Sequence, residues 1–199
     1  MNKLLIATNN KGKVIELQEL LKDTGIELVT PADINLVLDV EEDGKDYAEN
    51  ASKKAIAFAT ASELISLADD SGLEVEALGG APGLYSARYS PKPGANDADR
   101  RGFLLQNLKD KPRPWKAHFH ATIAIAKPSG ELENVEGNCF GEIIPDERGT
   151  SGFGYDPIFF IPELNQTMAE LSMEHKNRLS HRARAVMNAI PILEKLFGG

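Results

Sequence analysis

Cysteine is almost absent from this chain of 199 residues. The single Cys139 excludes a disulfide framework within the chain and fits a reducing compartment. One thiol cannot build a thiolate metal site by itself, and we interpret Cys139 as a small apolar strand residue. Long hydrophobic runs are also missing, because the apolar stretch at residues 3–8 is too short for a secretion signal or a membrane span. We therefore expect a soluble, cytoplasmic protein that does not contact a membrane.

Positive charge is scarce as well. The chain has 22 Lys and Arg residues against 30 Asp and Glu residues, a formal net charge of −8. Proteins that bind nucleic acid normally present a basic surface, so the balance disfavours nucleic acid as a partner. A small anionic substrate remains possible if cationic side chains gather locally. The apolar share of 42% and the charged share of 26% are ordinary for a globular protein of one sizeable domain or two small lobes.

The start of the chain predicts a βαβ unit. Residues 4–7 form an apolar run, residues 8–13 are polar, and apolar residues then recur at helical spacing up to about Asp23. Gly25 ends this helix, and residues 26–30 read as a second strand. Such a unit is typical of α/β proteins, so we expect a mixed central sheet with flanking helices. The further predicted elements are helices at 46–62, 97–109 and 172–197 and strands at 64–68, 118–127, 134–144 and 157–161.

The polar turn between the first strand and the first helix is a candidate anion site. Free backbone N–H groups and the helix dipole favour an anion at a helix N-terminus. Thr8 and Asn10 add hydrogen bonds and Lys13 adds charge. The turn does not match the Gly-x-x-x-x-Gly-Lys-Ser/Thr pattern of a P-loop. The alternative interpretation is an ordinary capped turn with solvated lysines.

Acidic residues make a candidate metal site. Asp69 and Asp70 follow an apolar run, and we expect them where that strand leaves the sheet. Two adjacent carboxylates repel each other, and a buried pair needs a cation close by. Together with Glu41 or Glu42, they are ligands suited to Mg²⁺. The alternatives are helix capping by the Asp-Asp-Ser segment and a solvated acidic turn at 41–43.

Two later segments carry further polar chemistry. In the segment Ser151–Pro157, Phe153 and Tyr155 are candidates to stack on a nucleobase, and Asp156 is a candidate acceptor for a base N–H. The alternative is a tight loop whose aromatic rings fill the core. The segment Lys176–Arg182 concentrates basic groups in an acidic protein. It is either a solvated helix face or a local basic site for phosphates or a base carbonyl.

Taken in order, these segments resemble the inosine triphosphate pyrophosphatase family over essentially the whole chain. Each piece alone is modest evidence, but five pieces in the same order are specific. The matching stretches are Ile6–Lys13, Ala68–Leu73, Leu78–Tyr89, Gly152–Phe159 and Ser180–Arg182.

The resemblance implies an elongated, two-lobed fold with a central cleft, usually in a homodimer. Residues 1–199 would then be one catalytic domain of two lobes, and the hairpin near 115–144 would contribute to the second lobe. The implied activity is Mg²⁺-dependent hydrolysis of ITP, dITP, XTP and dXTP to the nucleoside monophosphate and pyrophosphate. A pyrophosphatase for other nucleotides and a nucleotide-binding regulator without catalysis are the rival interpretations.

The resemblance also implies residue roles. Asp70 would be the general base and a metal ligand, Glu41 the second metal carboxylate with Glu42 as the alternative, and Ser71 a substrate contact. The residues implied to bind the triphosphate are Thr8, Asn9, Asn10, Lys11, Gly12, Lys13 and Lys54. The residues implied to bind the base or nearby phosphates are Phe153, Gly154, Tyr155, Asp156, Lys176, His181 and Arg182. Position 9 is Asn where many members of the family have Gly, and the Asn would either crowd the phosphates or adopt a left-handed turn.

Overall fold

Five α-helices and seven β-strands, with short 3-10 helices between them, make up the regular structure of residues 3–198, the part of the chain that the computed structural model describes. In chain order they are β1 (Lys3–Ile6), α1 (Lys11–Leu21), β2 (Glu27–Val29), α2 (Tyr47–Ser62), β3 (Ile65–Val75), α3 (Asp97–Leu108), β4 (Trp115–Ala126), β5 (Leu132–Ile143), β6 (Phe159–Ile161), β7 (Gln166–Thr167), α4 (Met173–Leu179) and α5 (His181–Phe197).

The strands form a seven-stranded mixed sheet in the order β2-β1-β3-β4-β5-β6-β7. Strand β1 is parallel to both β2 and β3, and the pairs β5–β6 and β6–β7 are antiparallel. Leu4, Leu5 and Ile6 of β1 are fully buried, as expected for a parallel strand covered on both faces. The predicted α/β fold with its βαβ start is confirmed.

The chain divides into two compact units. The first unit contains the chain up to Asp70, then Ala121–Gly137, and the chain from His181 onward. The second unit contains Ser71–His120 and Asn138–Ser180. The predicted domain description, with its lobes and cleft, stays a prediction.

The first unit has its core on both faces of β1. Leu17 of α1 and Val186 of α5 belong to one cluster of buried apolar residues, which also contains Leu4 and Ile6. Ala55 of α2 belongs to a second cluster with other buried residues of α2 and the sheet. Helix α2 is rich in alanine, so it can pack close to the sheet. This packing places the N-terminus of α1 and the inner face of α2 near the end of β1.

The second unit has an aromatic core. Trp115, Phe119, Tyr155 and Phe159 are all buried in one cluster. The rings of Phe119 and Phe159 lie 4.5 Å apart between centroids, a favourable separation for an aromatic pair. Cys139 is buried in the same cluster, in β5, as its interpretation as an apolar strand residue predicted.

Two predicted boundaries are wrong. Strand β3 continues through the acids to Val75, because Leu73 and Val75 are fully buried and extend the strand beyond the polar residues. Asp69 and Asp70 therefore lie within β3, and they do not cap a helix. The predicted tail helix is two helices, since the extended backbone of Ser180 (φ −65°, ψ 157°) ends α4. Serine is a preferred residue at helix starts, and α5 begins at the next residue.

Within residues 3–198, no helix combines the length and hydrophobicity needed to cross a bilayer.

Candidate functional site

The turn between β1 and α1 is built by its own side chains. The Asn10 side chain accepts a hydrogen bond from the backbone N–H of Lys13 (3.2 Å) and so caps α1. The Thr8 hydroxyl accepts from the backbone N–H of Asn10 at 3.2 Å. These bonds support the capped-turn interpretation, and the exposed Asn9 and Lys11 remain accessible to a ligand.

Asn9 does not adopt the left-handed conformation. Among residues 3–198, the non-glycine residues with positive φ are Asn35, Glu63 and Asn165. The left-handed alternative for position 9 is therefore wrong. An Asn at this position needs no special backbone geometry, and its exposed side chain lies on the turn beside the helix N-terminus.

Asp69 is the centre of a buried ion network. Its carboxylate is fully buried and accepts from Arg182 Nε (3.0 Å) and Nη2 (3.3 Å), and it forms a short ion pair with Lys13. Glu16 binds the remaining face of the Arg182 guanidinium through Nη1. Burial favours the neutral acid, but Arg182 and Lys13 outweigh it and hold the pKa of Asp69 far below its usual range. Asp69 is therefore ionised at any ordinary pH.

Asp70 has a different environment from its neighbour. Lys54 Nζ lies 3.5 Å from Asp70 Oδ1, 2.7 Å from Glu42 Oε1 and 2.9 Å from the backbone oxygen of Asp69. Burial raises the pKa of Asp70; Glu42 adds to the rise, and Lys54 and Lys13 oppose it. Two adjacent carboxylates thus have pKa values shifted in opposite directions, which is a common sign of divided roles at a functional site.

Helix α2 places Lys54 at this position. Asp46 caps the helix by accepting from the backbone N–H of Glu49 at 2.8 Å. Asn50 and Lys54 are one turn apart on the buried face of the helix. Burial opposes the charge on Lys54, but the nearby Asp70 and Glu42 outweigh it and raise the pKa of the lysine. Lys54 is therefore a permanent cation beside both carboxylates.

The acidic turn before α2 brings Glu42, not Glu41, to Lys54. The Asn50 side chain accepts from the backbone N–H of Gly44 at 2.7 Å and so fixes the turn against the helix. A side chain at position 44 would collide with Asn50, which explains the glycine. Glu41 is exposed, whereas Glu42 is half-buried beside Lys54.

The charged cluster of the first unit has an excess of acid. Its members are the cations Lys13, Lys54 and Arg182 and the anions Glu16, Glu42, Asp69 and Asp70. Three positive charges face four negative ones, so the cluster can accept a divalent cation. In residues 3–198, no three side chains of the His, Cys, Asp and Glu types form a complete metal site. Mg²⁺ often takes only one or two carboxylates, with water and substrate phosphates as further ligands, so the donor set fits it.

The second unit brings together three of the residues predicted to bind the base. Asp156 Oδ2 accepts from Lys176 Nζ at 2.6 Å and from the backbone N–H of Phe153 at 3.0 Å. The Lys176 ammonium lies 5.4 Å from the centre of the Phe153 ring, at cation–π distance. Phe153 is partly exposed, while Lys176 and Asp156 are buried.

Tyr155 fits the core interpretation. It is 5% exposed and its hydroxyl donates to the backbone oxygen of Ser86 at 2.9 Å. Burial raises the pKa of its phenol, which therefore remains protonated. Of the two aromatic residues in this loop, Phe153 is the more exposed and so the better candidate for stacking on a base.

The last predicted residues are placed as follows. Ser71 is half-buried in β3, and His181 is the buried first residue of α5. Gly12 is in the first turn of α1, and Gly154 lies in the loop before β6.

Sequence reasoning missed Glu16 and Asn50. Each is a polar residue on an otherwise apolar helix face: Glu16 precedes Leu17 on the buried side of α1, and Asn50 precedes Ala51 on the buried side of α2. A polar side chain at a buried helical position needs a hydrogen-bond partner, so the helical pattern alone could have identified both residues as candidates for buried polar contacts. Their partners are the Arg182 guanidinium and the Gly44 amide.

A mixed α/β sheet and a buried cluster of acids and lysines beside a helix N-terminus are features suited to a phosphorylated ligand. The model of the Ham1 family matches residues 4–192. The chain belongs to the Ham1 family, and the resemblance identified from its motifs is confirmed.

Named relatives match along almost the whole chain. The dITP/XTP pyrophosphatase of Desulforamulus reducens is 49% identical over 196 residues, which cover 98% of this chain and 97% of the relative. That of Desulfotalea psychrophila is 50% identical over 92% of this chain and 81% of the relative. Solved structures are similar as well. The structure of a HAM1 protein from Coxiella burnetii has a TM-score of 0.88 at 38% identity, and the match covers 98% of this chain and 100% of the Coxiella chain. The Ham1 protein of Staphylococcus aureus has a TM-score of 0.84 at 38% identity, covering 98% of this chain and 99% of the other.

Proposed function

We propose that this protein hydrolyses the non-standard purine nucleoside triphosphates dITP, XTP, ITP and dXTP to the monophosphate and pyrophosphate, with Mg²⁺ as cofactor. The observation that carries the proposal is the convergence of Asp70, Glu42 and Lys54 beside the capped N-terminus of α1. The names of relatives at 49% and 50% identity, dITP/XTP pyrophosphatase, support the choice of substrate.

The first unit supplies the groups that would bind the triphosphate. The helix dipole favours an anion at the N-terminus of α1, where the N–H groups of Asn10 and Lys13 already donate within the turn and the exposed Asn9 and Lys11 remain accessible. Lys13 and Lys54 add positive charge from two separate elements. Binding energy at this end would be shared by all triphosphates, so it would not select the base.

Asp70 and Glu42 are the residues that would hold Mg²⁺. Glu42 replaces Glu41 as our preferred second ligand, because it is the one whose carboxylate reaches Lys54. A bound Mg²⁺ would neutralise phosphate charge and help to orient the reacting groups. Glu41 is exposed, and we expect it to contribute little to metal affinity.

Asp70 is also the residue we propose as general base. Asp70 is held less tightly than Asp69, since its ion pair with Lys54 spans 3.5 Å, so its carboxylate can accept a proton from a water within hydrogen-bond reach. It would accept the proton of a water that attacks the α-phosphorus, while pyrophosphate leaves. Asp69 does not share this role, because Arg182 and Lys13 already engage its carboxylate. Arg182 would thus act through Asp69, as a positioning residue.

The loop that carries Phe153 holds the groups that we propose to select the base. Phe153 would stack on the purine, and donors near it would bind the 6-carbonyl of hypoxanthine or xanthine. Adenine carries an amino group at that position, which would leave a donor unpaired. Lys176 is a candidate donor, and its ion pair with Asp156 orients it.

Assembly and location are further parts of the proposal. We propose a homodimer that works in the cytoplasm, on the strength of the family resemblance alone. A partly apolar surface is available on the long hairpin, where Phe140 of β5 is 67% exposed.

Pyrophosphate release from a panel of nucleoside triphosphates tests the proposal. We expect fast release from dITP and XTP, slow release from dATP and dGTP, and none in EDTA. The matched pair Asp70→Asn and Asp69→Asn identifies the general base, since only Asp70→Asn should keep its fold and still lose activity. Equal rates for dATP and dITP, or full activity in EDTA, would contradict the proposal.

A further inference from the structure

Helix α3 contacts the loop that carries Phe153, and it does so with two side chains. Asp97 Oδ2 accepts from the backbone N–H of Gly154 at 2.8 Å. Arg101 Nη1 donates to the backbone oxygen of the same Gly154 at 2.8 Å. Both polar groups of one loop residue are thus bound by one helix. We call Asp97 and Arg101 the α3 clamp.

The α3 clamp is itself held in place. Arg101 Nε and Nη2 donate to the two carboxylate oxygens of Glu147, at 2.8 and 2.9 Å, so one edge of the guanidinium makes a bidentate pair. The arginine side chain is only 12% exposed. A bidentate arginine–carboxylate pair has a narrow geometry, which restricts the orientation of the third donor, Nη1.

Asp97 is equally constrained. Arg100 Nη2 donates to Asp97 Oδ1, and the Gly154 amide donates to its other oxygen. Burial opposes the charge, but these donors outweigh it and keep the pKa of Asp97 below its usual value, so the acceptor is ionised at neutral pH. The helix start beneath it is closed by a capping box between Asn96 and Asp99. The two clamp residues therefore belong to a helix whose N-terminus is fixed by its cap.

Gly154 is the point at which such a clamp has most effect. Its φ of +62° is left-handed, and it connects Phe153 to Tyr155. Tyr155 is anchored to Ser86 and Phe153 to Asp156, so Gly154 is the link between two fixed neighbours. Its orientation therefore affects where the Phe153 ring points.

We propose that Asp97 and Arg101 are positioning residues for base selectivity: they hold Gly154 so that Phe153 and its neighbouring donors match a 6-carbonyl purine. This rests on the proposed function. Neither residue touches the substrate; each acts through the loop. Recognition groups must be held to within about 0.5 Å to discriminate between similar ligands, and a loosened loop loses that precision.

The test uses Arg101→Gln and Asp97→Ala in the full chain, with Asp97→Asn as the conservative variant, because Asn retains an acceptor oxygen for the Gly154 amide. Lys92→Gln is the matched control: Lys92 forms an ion pair at 2.7 Å with Asp99, on the same turn of α3 as the clamp. For each protein, kcat and KM are measured with dITP and dATP, together with Tm and hydrogen exchange of the Gly154 amide.

We expect Arg101→Gln and Asp97→Ala to lower the dITP-to-dATP ratio of kcat/KM by about tenfold or more, chiefly through KM for dITP. The Gly154 amide should exchange faster in Asp97→Ala and regain protection in Asp97→Asn, along with most of the selectivity. The control should match the wild type in ratio and in exchange.

Other outcomes separate the inference from the proposed function. If the wild-type protein discriminates well and the Arg101→Gln and Asp97→Ala variants have the same ratio of kcat/KM, the α3 clamp is overturned and the proposed function stands. An equal loss of activity towards both substrates with a lower Tm shows a merely structural role, which also overturns the clamp. A wild-type protein that releases pyrophosphate from none of the triphosphates overturns the proposed function itself, whatever the exchange data show.

Discussion

Asp69 and Asp70 are neighbours with the same side chain, and the same substitution should affect them in opposite ways. Asp69 is fully buried against Arg182 and Lys13. Asp69→Asn leaves both cations short of a partner inside the protein, since Glu16 then compensates Arg182 alone. Breaking a buried ion pair by removing one partner typically costs about 3–5 kcal/mol. For a chain of this length, Tm should fall by about 6–20 °C.

Asp70→Asn should behave otherwise. Burial raises the pKa of Asp70, so the fold already disfavours its charge, and a neutral amide removes that penalty. Lys54 keeps Glu42 at 2.7 Å and the Asp69 backbone oxygen at 2.9 Å, so no cation is left unpaired. The free energy of unfolding should change by less than about 1 kcal/mol. Activity should fall by about 10²–10⁴, because the proposed general base is gone.

Urea denaturation and pyrophosphate release, measured on both variants and the wild type, test whether the two aspartates have these different roles. The reasoning predicts one unstable variant and one stable, inactive variant. Equal losses of stability in the two variants would refute it, as would wild-type turnover in Asp70→Asn.

Three further predictions address the metal, the base loop and pH. Glu42→Gln should raise the Mg²⁺ concentration for half-maximal activity by at least about tenfold, while Glu41→Gln should leave it unchanged. A Mg²⁺ titration in which Glu41→Gln has the larger effect would show that Glu41 is the second metal ligand. Gly152→Ala should cost about 1–3 kcal/mol and raise KM for dITP, because Gly152 has a φ of +78° and a Cβ would meet the carboxylate of Asp156; thermal denaturation and kinetics check this. Since the pKa of Asp69 is lowered by folding, its contribution is present above its unfolded value of about 3.8 and is lost as pH falls further. Urea midpoints at about pH 5 and about pH 3 should therefore differ less in Asp69→Asn than in the wild type; an equal difference would contradict this.

Local pattern was enough for much of the fold. The apolar run of β1, the polar turn after it and the spacing of Leu17 and Leu21 predicted the βαβ start, because each signal lies within a few residues. The extension of β3 was not predictable in the same way. The segment Asp69–Gly72 interrupts the apolar pattern, and only burial of Leu73 and Val75 by distant residues keeps the strand extended.

The candidate site shows the same division. Lys13, Lys54 and the two aspartates were identified as chemical groups, but the partner of Asp69 is 113 residues away, and no spacing rule predicts that pair. The sequence also contains no pattern that identifies the α3 clamp. Asp97 and Arg101 are four residues apart on a helix, which resembles an ordinary surface ion pair, whereas in the structure each binds the Gly154 loop. Contacts that depend on tertiary packing were beyond the sequence pattern.

Hydrolysis of dITP in water labelled with heavy oxygen tests the central claim most directly. If Asp70 accepts the proton of a water that attacks the α-phosphorus, the label must appear in dIMP, and the released pyrophosphate must be unlabelled. Label in pyrophosphate or in orthophosphate would show attack at another phosphorus and would contradict the account.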